Sequence, residues 1–113
     1  MQKHKELTNK LLVYLHANYK GRYWCNETGA VKTVNGHFQR YGLIGSTDII
    51  GFTEQGKAIF IEVKISPDKL SKQQIAFRDV CELHNCLHIV VKDTINESYF
   101  NLLTRRECHG NGL

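Results

Sequence analysis

The amino-acid sequence of 113 residues predicts a single-domain α/β fold, in which helices flank one central mixed β-sheet. Two apolar segments, DIIGF at 48–52 and AIFIEV at 58–63, lie on either side of a polar segment that contains Gly56. This pattern is typical of a β-hairpin. A helical pattern and a third apolar segment, LHIVVK at 87–92, follow the hairpin. A strand reached through a crossover helix runs parallel to the strand before it, so the sheet is expected to be mixed.

The first 42 residues predict a helix and a second hairpin. Apolar residues recur at helical spacing over 5–18, and we expect that helix to pack against the sheet. Its apolar positions are Leu7, Leu11, Tyr14 and Leu15. The segments VKTV and HFQRYG are separated by Asn35-Gly36, which favours a hairpin with a two-residue turn. An extended excursion of the chain is the alternative.

Two further helices are predicted in the second half of the chain. In the first, over 70–85, Ser71 and Gln74 have the spacing of a capping box, and Asn85 suits the left-handed position at its end. Its predicted apolar face consists of Ile75, Val80 and Leu83, with Ala76 and Phe77 nearby. Near the C-terminus, Thr94 and Glu97 form a second capping box before the helical pattern SYFNLLTRR.

Three residues near the predicted hairpin have the side chains that phosphodiester chemistry needs. Glu62 and Lys64 point to the same face of their strand, about 6.6 Å apart along it. Folding the hairpin about residues 55–56 brings Asp48 opposite either Glu62 or Val63. Two carboxylates that converge in this way provide oxygen ligands for Mg2+, and a lysine beside them can orient or deprotonate water.

This E-x-K pattern is short, and ordinary surface charges on an exposed hairpin would produce it by chance. The surrounding segment argues for a site. AIFIEV is apolar enough to be a central strand that is buried on both faces. A carboxylate and a lysine in such a strand are costly unless they have partners or a function.

The order of these motifs resembles a known family of nucleases. GSTDIIGF, the turn with Gly56, IFIEVK and LSKQQIAF resemble the virus-type replication-repair nuclease (VRR-Nuc) domain, a branch of the PD-(D/E)XK superfamily. The similarity extends from about residue 23 to residue 91 and implies a restriction-endonuclease-like core. Thr47 stands where the superfamily name has proline, a departure that removes no ligand atom.

The resemblance implies a role for each matching residue. Asp48, Glu62 and the main-chain carbonyl of Val63 correspond to ligands of Mg2+ or Mn2+, and Lys64 corresponds to the catalytic lysine. Gln74 aligns best with a site glutamine on the following helix, and Gln73 remains the alternative. Relatives often carry an acidic metal ligand on the first helix, where Glu6 is the acidic candidate. No organic cofactor is implied.

The chain carries a net charge of +4 and has an isoelectric point near 8.9, which suits a polyanionic partner. Each basic residue is also compatible with an ordinary solvated surface position. The candidate phosphate contacts are Arg22, Lys32, Arg40, Lys69 and Lys72, together with Lys20.

The N-terminal segment is polar, and no apolar run is long enough to span a membrane, so a cytoplasmic protein is expected. A phage or other mobile-element origin is suggested by the resemblance alone. A zinc site is the rival interpretation of a group of cysteines and histidines, but its spacing fits no familiar finger, and buried cysteines with histidines at a helix end are the favoured interpretation. The group consists of Cys81, His84, Cys86 and His88, with Cys108 and His109 near the end.

These patterns together predict a metal-dependent DNA endonuclease. A chain of this size has little surface for reading base edges, which favours selection of junctions, flaps or other branched DNA. Stand-alone members of the family form homodimers, and the resemblance implies the same here. A nucleic-acid-binding module that keeps the fold without catalysis is the alternative function.

Overall fold

The structure is a computed structural model that describes residues 2–27 and 29–107. It has two α-helices, α1 at Gln2–Asn18 and α2 at Lys72–Leu83, and a short 3-10 helix at Glu97–Phe100. Its strands are β1 at Arg22–Cys25, β2 at Gly29–Lys32, β3 at Phe38–Tyr41, β4 at Ile49–Phe52, β5 at Ala58–Lys64 and β6 at Leu87–Lys92.

Four of the strands form the central sheet, in the order β1-β4-β5-β6. Strand β4 is antiparallel to both β1 and β5, whereas β5 and β6 are parallel. The predicted mixed sheet is therefore confirmed, and α2 provides the crossover that the parallel pair requires. Ile49 pairs with Ile61 across the hairpin. Continuing this register by one residue places Asp48 opposite Glu62, one of the two predicted partners.

Helix α1 covers the sheet and supplies much of the core. Leu7, Leu11 and Leu15 are buried on one side of this helix, as the helical spacing predicted. They belong to a cluster with buried sheet residues, each of which contributes about 1.5–3 kcal/mol by leaving water. The sheet members of the cluster are Tyr23, Ile49, Ile59, Ile61, Val63 and Val91. The helix begins at Gln2, three residues earlier than predicted, so His4 lies within it.

Helix α2 begins as predicted but buries a different face. Ser71 is its N-cap, and the reciprocal hydrogen bonds of the capping box with Gln74 are both present. Asn85 has a positive φ of 61°, as expected for the residue that ends the helix. The predicted apolar face is wrong, because Val80 and Leu83 are 52% and 77% exposed and the buried residue is Cys81. Ile75 is likewise exposed.

Strands β2 and β3 form a separate two-stranded antiparallel sheet. We call residues 29–41 the arm. Its hairpin was predicted, but the two-residue turn is wrong: Lys32 pairs with Phe38, which leaves five residues in the loop. The Thr33 N–H donates to the His37 carbonyl at 2.6 Å, and Gly36 has the positive φ of 83° that the turn needs.

The capping box predicted at Thr94 and Glu97 is also wrong. Asn96 is the N-cap, because its side-chain oxygen accepts a hydrogen bond from the Ser98 N–H at 2.9 Å. The helix that follows is a single 3-10 turn rather than a helix over SYFNLLTRR. Neither α-helix of the described residues has the combination of length and apolar character that crossing a bilayer requires.

Candidate active site

Asp48 is held where the arm joins the central sheet. The Asn26 N–H donates to the Asp48 carbonyl oxygen at 2.8 Å. The Asn26 side chain also donates to the Thr47 carbonyl and to Ser46 Oγ, both at 2.8 Å. Across the hairpin, Asp48 Oδ2 accepts a hydrogen bond from the Val63 N–H at 2.7 Å. Asp48 is therefore held on one side by the segment that follows β1 and on the other side by β5.

Glu62 is a carboxylate buried within the central strand. It is 3% exposed, although its neighbours in β5 are apolar. One oxygen, Oε2, accepts a hydrogen bond from Gln74 Nε2 and lies 3.7 Å from Lys64 Nζ. The other oxygen, Oε1, is fully buried and has no hydrogen-bond partner within the described residues. A buried oxygen without a partner is rare in folded proteins and calls for an explanation.

Electrostatics at this position favour the protonated carboxyl group. The pKa of Glu62 is raised from 4.5 to about 7, chiefly by burial and secondly by the nearby Asp48 carboxylate. Lys64 and the hydrogen bond from Gln74 act in the opposite direction but do not cancel these effects. A divalent cation would both neutralise the paired carboxylates and provide the partner that Oε1 lacks. The donor set of carboxylate and carbonyl oxygens fits Mg2+ or Mn2+.

Gln74 links the start of α2 to Glu62. Its Oε1 accepts from the Ser71 N–H at 2.9 Å, and its own N–H donates to Ser71 Oγ at 3.2 Å. The capping box thus fixes the side-chain amide, whose NH2 group is left to donate to Glu62. The neighbouring Gln73 is exposed, and its main chain packs instead against Gly45. The structure therefore brings Gln74, and not Gln73, to the carboxylate.

From α1 the structure brings His4 to the site rather than Glu6. His4 Nε2 lies 3.0 Å from the Val63 carbonyl oxygen and 3.4 Å from Asp48 Oδ2. Glu6 is exposed, and it lies two residues further along the helix, roughly 200° around its axis at 3.6 residues per turn. Sequence reasoning missed His4 because it considered acidic residues alone and began the helix at residue 5.

The five predicted phosphate contacts are all exposed but lie in different places. Lys69 precedes α2, and Lys72 is its first residue, two positions from Gln74. Lys32 and Arg40 lie on the arm. Arg22 pairs with Phe52, at the end of the sheet away from the Cys25–Ile49 pair that adjoins Asp48. Lys20, the sixth candidate, forms an ion pair with Glu54 at 3.1 Å.

Those cysteines and histidines of the rival zinc interpretation that the structure describes do not form a metal-binding cluster. Within residues 2–27 and 29–107, no three His, Cys, Asp or Glu side chains are arranged to hold a metal ion by themselves. Burial raises the pKa of the Cys81 thiol to about 11, which disfavours the thiolate that zinc binds. Cys108 and His109 lie outside the described residues.

Within the described residues, a cation between Asp48 and Glu62 would have only these two carboxylates as side-chain ligands. It would therefore also need main-chain and water oxygens, such as the Val63 carbonyl.

Comparison with known proteins identifies the family of the chain. The model of the VRR-NUC domain family matches residues 25–93, more than half of the chain. The chain belongs to the VRR-NUC family. The match contains Asp48, Glu62, Lys64 and Gln74, and it confirms the resemblance found in the sequence. Searches of the curated proteins and of the solved structures gave no match. As a VRR-NUC domain the chain is of the nuclease type, which implies DNA as its substrate.

Proposed function

We propose that this VRR-NUC domain hydrolyses phosphodiester bonds in DNA with the help of Mg2+ or Mn2+. The observation that carries the proposal is the buried Oε1 of Glu62, which has no hydrogen-bond partner in the part of the chain that the structure describes and lies on a strand opposite Asp48. Asp48, Glu62 and the Val63 carbonyl would hold the metal. Glu6 is not included, because the side chain that α1 contributes at this place is His4.

Each remaining residue of the site has a separate task in the proposal. The metal, when bound, lowers the pKa of a coordinated water and offsets charge on the phosphate. Lys64 is 16% exposed and lies 3.7 Å from Glu62 Oε2, so it can hold the attacking water or stabilise charge on the phosphate oxygens. Gln74 fixes the orientation of the Glu62 carboxylate from α2.

We further propose that the domain selects branched DNA and acts as a homodimer. An exposed apolar surface on one side of the protein supports the dimer, because isolated domains seldom expose such patches. It combines α2 with the loop before Asp48 and is lined by Leu43, Ile44, Ala76, Phe77 and Val80. Sedimentation of the purified protein tests this point, and Val80→Glu is expected to shift a dimer towards monomer.

Cleavage of labelled duplex, flap and four-way-junction DNA tests the catalytic proposal. We expect cutting with Mg2+ or Mn2+, none with EDTA, and a loss of about 10²–10⁴-fold in Lys64→Ala. Lys57→Ala is the matched control, since Lys57 is an exposed lysine in the turn between β4 and β5. Undiminished cutting by Lys64→Ala would refute the role of Lys64. A wild type that binds DNA but cuts no substrate would favour the non-catalytic module.

A further inference from the structure

The arm exposes large apolar side chains that its own folding does not explain. Phe38 is 75% exposed and Val34 is 102% exposed. A two-stranded sheet gains little from burial and is marginally stable by itself. Exposed apolar residues on such an element contribute little to folding, so their presence points to a binding partner.

The partner that suits this surface is polyanionic. Residues 28–47 contain no aspartate or glutamate, although they include Lys32, His37 and Arg40. The register places Phe38 directly opposite Lys32, while Arg40 lies two residues along the same strand. Because alternate residues share a face, Phe38, Lys32 and Arg40 lie on the same side of the arm. One face therefore combines an exposed aromatic ring with two cations and no anion.

The base of the arm adjoins the candidate active site. Asn26, before β2, donates hydrogen bonds to Ser46, Thr47 and Asp48, after β3. These bonds connect the two segments that flank the arm, and one of those segments carries the Asp48 carboxylate. DNA that contacts the arm would thus lie within reach of the proposed metal ligands.

We propose that the arm is a DNA-binding element that recognises unpaired bases next to the site of cleavage. This inference rests on the proposed function and adds to it a means of selecting branched DNA. Lys32 and Arg40 contact phosphates, and Phe38 stacks on a base that a flap or junction leaves unpaired. Aromatic stacking suits such a base because both faces of a paired base are already covered within the duplex.

DNA binding in EDTA tests the arm separately from catalysis. Fluorescence anisotropy is measured with a labelled single-stranded flap and with a blunt duplex over a range of salt concentrations. Lys32→Gln combined with Arg40→Gln is expected to weaken binding to both DNAs and to reduce the salt slope by about 2, at roughly 0.9 per phosphate contact. The matched control combines Lys10→Gln with Lys57→Gln, two exposed lysines outside the arm. It is expected to change affinity less than twofold.

Phe38→Ala distinguishes stacking from simple attraction between charges. We expect a loss of about tenfold in affinity for the flap, a smaller loss for the blunt duplex and an unchanged salt slope. Phe38→Trp, which keeps an aromatic face, should restore flap binding. Equal losses of affinity for the flap and for the blunt duplex, or no loss for either, would overturn the inference. A dimer that dissociates in Phe38→Ala with unchanged DNA affinity would overturn it in favour of contact between copies. A wild type that binds neither DNA would also overturn the inference, whereas cleavage with Mg2+ or Mn2+ decides the proposed function separately.

Discussion

Replacing Glu62 with glutamine removes a buried carboxyl group whose pKa is raised to about 7. The shift from 4.5 is equivalent to about 3 kcal/mol, at 1.36 kcal/mol for each pKa unit. Because the folded pKa exceeds the unfolded one, the native state holds a proton that the unfolded chain releases between these values. The contribution of Glu62 to the free energy of unfolding of the metal-free wild type therefore falls by about 3 kcal/mol as the pH rises from 4.5 to 7.

The glutamine side chain resembles the protonated carboxyl group, so Glu62→Gln should match the wild type near pH 4.5 and exceed its stability near pH 8. Urea unfolding in EDTA at several pH values measures the difference in unfolding free energy between the two proteins. Because the other titrating groups are common to both proteins, their contributions cancel in this difference. Glu82→Gln is the matched control, because Glu82 is an exposed carboxylate on α2. The reasoning would be refuted if the difference in unfolding free energy between wild type and Glu62→Gln varied by less than about 1 kcal/mol between pH 4.5 and pH 8.

Three further changes test the contacts around the site. Gln74→Ala should lower the free energy of unfolding above pH 7 by about 1–3 kcal/mol, because the Glu62 carboxylate loses a hydrogen-bond donor. Gln73→Ala is the control and should change it little. Equal effects of the two variants in urea unfolding would contradict this assignment. His4→Ala should lower the free energy of unfolding by about 1 kcal/mol, or the melting temperature by about 4 °C, because α1 loses its contact with the Val63 carbonyl. Lys5→Ala, at an exposed position of the same helix, is the control. A melting temperature of His4→Ala no lower than that of Lys5→Ala would contradict the prediction. Gly45→Ala, whose Cβ would lie 2.6 Å from the Gln73 oxygen, should destabilise the fold more than Gly56→Ala, whose Cβ would meet nothing within 4 Å.

Local signals were sufficient for the hairpin and for the start of α2. Gly56 adopts a positive φ of 83° in the turn, and the apolar segments on either side fix which strands pair. The pairing of Ile49 with Ile61 then sets the position of Asp48 against Glu62. Likewise, Ser71 and Gln74 are three residues apart, so their reciprocal hydrogen bonds depend on local backbone geometry alone.

Features that depend on tertiary packing could not be predicted in this way. The apolar spacing of Ile75, Val80 and Leu83 is helical, but periodicity does not show which side of α2 meets the sheet. His4 reaches Val63 across 59 positions of the chain, and no local pattern marks that contact. The N-cap of the 3-10 helix is, by contrast, a local choice between Thr94 and Asn96, which is decided by the hydrogen bond that Asn96 Oδ1 accepts from the Ser98 N–H.

The buried position of Glu62 links stability to the proposed chemistry. A surface carboxylate would be solvated and would gain less from a cation, whereas Glu62 is 3% exposed and opposes Asp48 across the hairpin. Neutralising this pair should stabilise the protein most at a pH where both groups are ionised. Added Mn2+ should therefore raise the melting temperature of the wild type more at pH 8 than at pH 5, with a smaller rise in Glu62→Gln. An equal rise in both proteins would place the bound metal elsewhere.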